Sequence, residues 1–141
     1  MKIVYFDETF GYPWVTTLTN LFLMRREKQP YLKHVFHIVD HGTNDTDLID
    51  SLVGSRGDCI IISGDAGRDE PRLPQVCQQK NITHIILSPS VHRATKFERA
   101  RAVIMLWPKI LKTFDAPPGS RYQIQKVSTK NYCMVLKRKN A

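Results

Sequence analysis

Acidic residues stand directly behind apolar runs twice in this chain. Asp7 and Glu8 follow KIVYF, and Asp65 follows CIIISG, with Asp69 and Glu70 close behind. A further pair, Asp45 and Asp47, opens an amphipathic segment after HVFHIV. Like charges crowded to about 4 Å repel by roughly 1–4 kcal/mol per pair near a surface, and a carboxylate at the end of a buried strand is costly without partners. A divalent cation offsets both. Oxygen ligands unaccompanied by His or Cys favour Mg²⁺ or Mn²⁺ over zinc, so Asp7 and Asp65 are candidate metal ligands. Asp45 and Asp47 fall in a helix's first turn, where the helix dipole alone would favour them. Asp69 and Glu70 also fit a solvated loop. Other chemistries find less support. His34, His37 and His41 have a ligand-like look, but on a strand His34 and His37 would point to opposite faces. Gly64 and Gly67 lack the spacing of a phosphate loop. Ser63 and Cys77 have no base near them in sequence.

The elements that must position these acids are legible as alternation. KIVYF (2–6), HVFHIV (34–39), CIIIS (59–63) and HIILS (84–88) read as strands. A helix runs from Trp14 to about residue 28 with Pro13 at its start. A second, capped by Thr43 and Asn44, carries Leu48, Ile49, Leu52 and Val53 on one face. Residues 72–80 suit a short helix. A long one begins near Thr95 with Phe97, Ala100, Ile104, Trp107 and Leu111 on one stripe, and Pro108 should kink or restart it. RYQIQKV and NYCMVLK then alternate as a terminal hairpin. Strands alternating with helices predict a mainly parallel sheet with helices on both faces. In such a sheet the functional crevice lies outside the carboxyl ends of the strands, and Asp7, Asp65, Asp45 and Asp47 all fall on that edge. One domain over residues 1–141 is expected, with an α/β core (1–115) and a hairpin with a basic tail (116–141).

Charge divides the chain. Residues 1–70 carry 7 Lys/Arg against 11 Asp/Glu, whereas residues 71–141 carry 14 against 2, a net of +12. An acidic half beside a strongly basic half suggests a place for cations next to a place for a polyanion. No apolar run approaches the roughly 20 residues of a membrane span, and MKIVYFDETF has acids where a signal peptide would be apolar. Cys59, Cys77 and Cys133 lack metal-ligand spacing. Reduced thiols in a cytoplasmic protein are expected.

FDETF after the first strand, HGTNDTDLIDSL in the middle, CIIISGD, and LWPKIL late in the chain occur in an order that resembles PIN-like domains of the VapC toxin type. The resemblance covers nearly the whole chain and implies a three-layer PIN-like α/β domain. It implies Asp7, Asp45 and Asp65 as the metal-binding, catalytic acids and Asp47 as an acidic neighbour at the metal. The fourth acid of such sites is open among Glu8, Asp47, Asp69 and Glu70. The implied activity is an Mg²⁺- or Mn²⁺-dependent endoribonuclease held by a cognate antitoxin protein, with a homodimer compatible. Arg68, Arg93, Lys96, Arg99 and Arg101 are candidate RNA contacts, joined near the end by Lys126, Lys130, Lys137, Arg138 and Lys139. Such contacts are expected to be phosphate-directed and salt-sensitive. Two alternatives stand beside this reading. One is a degenerate PIN-like domain that binds RNA or a protein partner without cutting; the other is a receiver-like phosphoacceptor domain.

Overall fold

Residues 3–6 and 59–62, within the strands Lys2–Phe6 and Asp58–Ser63, are apolar without interruption because both faces of the sheet are covered there. In the computed structural model, which describes residues 2–7, 9–23, 30–35, 45–53, 58–64 and 73–138 (side chains of 12, 22, 23, 45, 46 and 53 excepted), these two strands lie side by side in the interior of the sheet. The elements run β1 (Lys2–Phe6), α1 (Tyr12–Leu23), β2 (Tyr31–His34), α2 (Asp45–Val53), β3 (Asp58–Ser63), α3 (Leu73–Gln79), β4 (Thr83–Leu87), α4 (Pro89–His92), α5 (Lys96–Met105), α6 (Trp107–Lys112), β5 (Arg121–Ser128) and β6 (Asn131–Arg138). The strands form a six-stranded sheet in the order β2-β1-β3-β4-β5-β6. All neighbours are parallel except β5 and β6, which form the expected antiparallel hairpin.

Strand alternation sorts the core into two clusters. Val4, Phe6, Ile60, Ile62, Ile85 and Ile124 pack with Val15 and Leu18 of α1 and with Ala102, Val103, Trp107 and Ile110 of α5 and α6. Ile3, Tyr5 and Ile61 pack with Leu48, Ile49 and Leu52 of α2 and with Leu73, Val76 and Cys77 of α3. Helices thus flank both faces of a mainly parallel sheet, the α/β architecture that the alternation predicts. Among the described residues no helix is long and apolar enough to cross a membrane.

Three details differ from expectation: the start of the second strand, the buried stripe of the late helix and the pairing of β5. The second strand occupies Tyr31–His34, starting three residues ahead of the expected run 34–39, of which residues 36–39 lie outside the described residues. Its ladder pairs Ile3 with Tyr31 through to Phe6 with His34, so β1 itself ends where β2 ends. The long C-terminal helix is broken at Leu106, and α6 restarts with Pro108 in its first turn, as the proline requires. Its buried stripe is Ala102, Val103, Leu106, Trp107 and Ile110, while Phe97 and Ile104 face solvent. Finally, β5 is more than half of a hairpin. It pairs with β4 from His84–Arg121 to Leu87–Ile124 and so joins the central sheet.

Candidate functional site

The chain leaves β1 toward β2 on one side, then crosses back to β3 and continues outward to β5. The connections therefore diverge between β1 and β3, which makes a crevice at the carboxyl ends of those two strands. Asp7 stands in it. Its N–H extends the β1–β3 ladder by donating to Ile62 O at 3.1 Å. Its half-buried carboxylate accepts from the Thr9 N–H (Oδ1, 3.0 Å) and, more weakly, from the Gly64 N–H at the end of β3 (Oδ2, 3.4 Å).

The loop bearing Asp7 is held by its own aromatic residues. Phe10 and Trp14 pack on Phe6 with ring centroids 5.2 and 5.8 Å away, both edge-to-face. Phe10 N–H donates to Asp7 O at 3.0 Å, and buried His34 bonds the Phe10 carbonyl through Nε2. His34 thereby ties β2 to the loop.

Gly64 is where three elements meet. A Cβ there would lie 2.7 Å from His92 Cε1 and closer still to His92 Nδ1 and Thr9 Oγ1. Only a residue without a side chain lets the end of β3 approach both α4 and the Asp7 loop. Thr9, Gly64 and His92 thus surround Asp7's end of the crevice, and none of them is picked out by sequence spacing. The run "SGD" behind an apolar strand is the one signal that could have marked Gly64.

The other candidate acids are distributed as follows. Asp45 is the first residue of α2, at the helix start where it was expected, with its side chain outside the described residues. Asp47 is exposed on α2, and its carbonyl accepts from Ser51 Oγ at 2.9 Å. Glu8, Asp65, Arg68, Asp69, Glu70, His37, His41 and Lys139 lie outside the described residues. Among the described residues no group of three or more His, Cys, Asp or Glu side chains is arranged to hold a metal ion. The carboxylate oxygens of Asp7, backed by two N–H groups, fit a hard cation.

Of the basic candidates, Arg93, Lys96 and Arg101 are exposed around α5. Arg99 is differently placed. Its guanidinium donates to His92 O at 3.0 Å and Ala94 O at 2.9 Å, clamping the corner between α4 and α5. Lys126 Nζ pairs with Glu98 Oε2 at 3.6 Å.

Sequence reasoning also missed a partner for Ser63. Ser63 Oγ and His84 Nε2 are 2.6 Å apart, both residues being at most 1% exposed. No substrate could reach this pair, so it is a polar bridge inside the core. Burial, with Arg121 adding a smaller repulsion, lowers the His84 pKa from 6.5 to about 3. The fold therefore excludes a proton that the unfolded chain accepts below pH 6.5, and stability present above that pH is lost on acidification. Between pH 7 and pH 5 the loss attributable to His84 is about 2 kcal/mol, at 1.36 kcal/mol per unit. Thermal melts of the wild type and His84→Gln across this range should diverge by that amount. Parallel curves would mean that His84 titrates as it does in the unfolded chain. The Cys59 thiol is pushed up to about 11 by burial and by Asp58 beside it, which keeps it protonated and unreactive.

A cleft of about 160 Å³ opens at the opposite edge of the sheet, lined by Cys59, Lys80, Asn81, Thr83 and Phe114 among others. It is remote from Asp7 and contains no acid cluster. Comparison with protein-family models, curated proteins and solved structures returned no match.

Proposed function

We propose that this chain is an Mg²⁺- or Mn²⁺-dependent endoribonuclease of the PIN-like, VapC type, acting in the cytoplasm and held by an antitoxin protein. The observation that carries the proposal is the Asp7 carboxylate at the switch point between β1 and β3, bonded to the amide of the residue that precedes Asp65. A bound divalent cation would supply Lewis-acid chemistry, lowering the pKa of water and offsetting charge on the transferred phosphate. Asp7 would hold it, with Asp45 and Asp65 as the companions that the resemblance implies and Asp47 as the neighbouring acid. The Thr9 and Gly64 N–H groups fix the direction of the Asp7 oxygens before substrate arrives. Arg93, Lys96 and Arg101 take phosphates of the RNA, and Arg99 keeps their helix in place.

One observation favours a second reading. The parallel order β2-β1-β3-β4-β5 is also that of doubly wound receiver-like domains, where an acid after the third strand would accept a phosphoryl group. Lys126, near the end of the fifth parallel strand, is engaged by Glu98 on α5, and the basic half of the chain has no role in that reading. The ribonuclease accounts for both halves.

The test is single-stranded RNA incubated with purified protein in Mn²⁺, with and without EDTA. Cleavage that EDTA abolishes is expected. Cleavage indifferent to EDTA would defeat the metal mechanism. No cleavage, with RNA still bound, would leave the non-cutting PIN-like domain. Labelling of the protein by acetyl phosphate would establish the phosphoacceptor.

A further inference from the structure

We propose that Phe97 is a base-stacking platform that restricts the site at Asp7 to unpaired RNA; the inference rests on the ribonuclease reading. Phe97 lies in the first turn of α5 and is 87% exposed, while Ala102 and Val103 of the same helix are fully buried. A phenyl ring left in water at the start of a well-capped helix is not explained by the core: Thr95 Oγ1 accepts from the Glu98 N–H at 3.2 Å and secures that helix end without it.

Its surroundings are cationic. Exposed Lys96 adjoins it, exposed Arg101 stands one turn further along the same face, and exposed Arg93 sits at the preceding corner. The nearby acid, Glu98, is engaged by Lys126. An aromatic face among exposed cations is the arrangement by which single strands are held, since every base can stack on the ring while the cations take phosphates. A duplex keeps its bases stacked within itself and offers the ring nothing. Charge complementarity points the same way, because residues 71–141 carry the net +12.

The platform is also tied to the crevice. Three residues, Arg93 to Thr95, join α4 to α5, and Arg99 clamps that corner through the His92 and Ala94 carbonyls. His92 in turn abuts Gly64, whose N–H meets Asp7. A strand stacked on Phe97 is therefore held on a helix whose N-terminal corner packs against the end of β3.

The experiment uses full-length Asp7→Asn protein, which should bind RNA without cutting it, and a labelled oligoribonucleotide offered as single strand and as duplex. Phe97→Ala should weaken single-strand binding about tenfold and leave duplex binding unchanged, and Phe97→Trp should restore the single strand. Equal losses on both forms, no loss, or failure of the Trp variant to restore binding would overturn the platform. So would absence of RNA binding combined with capture of an acidic peptide. The ribonuclease reading is scored separately by wild-type cleavage in Mn²⁺. Absence of cleavage with the Phe97 pattern intact would sink the nuclease and keep the platform.

Discussion

Asp7→Asn is expected to lower Mn²⁺-dependent RNA cleavage by at least about 100-fold, the usual cost of removing one preorganised charge-stabilising group. Asp7 is positioned by the sheet: it follows a strand paired on both sides, and its N–H is anchored to Ile62 O. Asparagine keeps the shape and one acceptor oxygen, which can still take the Thr9 N–H. It loses the charge that would hold a cation, and its amide nitrogen would then face the Gly64 N–H, donor against donor. RNA affinity should change little, because phosphate contacts come from the cations around α5. Single-turnover cleavage and fluorescence anisotropy at one salt concentration separate the two quantities. Undiminished cutting by the variant would remove Asp7 from the mechanism.

Gly64→Ala should cost about 1–3 kcal/mol, as overfilling a packed site does, and lower the melting temperature by roughly 3–10 °C for a domain of this size. The added methyl overlaps the His92 ring and Thr9 Oγ1 together, so relief requires both side chains to move. That movement also shifts the N–H that meets Asp7, so cleavage should fall by more than the loss of folded protein explains. Gly11→Ala is the control. A Cβ at Gly11 meets Pro13 Cδ at 3.5 Å, an ordinary contact, and that variant should melt near the wild type. Equal melting of both variants would mean that the close approach at Gly64 carries no strain.

Much of the sheet was legible because buried parallel strands are written as continuous apolar runs, and KIVYF and CIII are unambiguous. The restart at Pro108 was legible for a covalent reason, the missing N–H. The second strand was not, since an edge strand paired on one side needs few apolar residues, and its limits are set by the length of its partner β1. The stripe on the late helix was misplaced because helical periodicity tells which residues share a face and not which face is covered. The break at Leu106 then changes the phase between α5 and α6.

The candidate site divides in the same way. Sequence alone determined that Asp7 follows a buried strand, that Asp45 opens a helix, and that the cations gather in the second half, because these are properties of neighbours along the chain. Tertiary structure decided that Gly64 must lack a side chain and that His92 packs against it. It also decided that Arg99 bonds carbonyls while Arg93, Lys96 and Arg101 stay exposed, and that Ser63 meets His84 across two strands. Each of these joins residues brought together by strand order and helix packing, whose separation along the chain carries no trace of their distance in space.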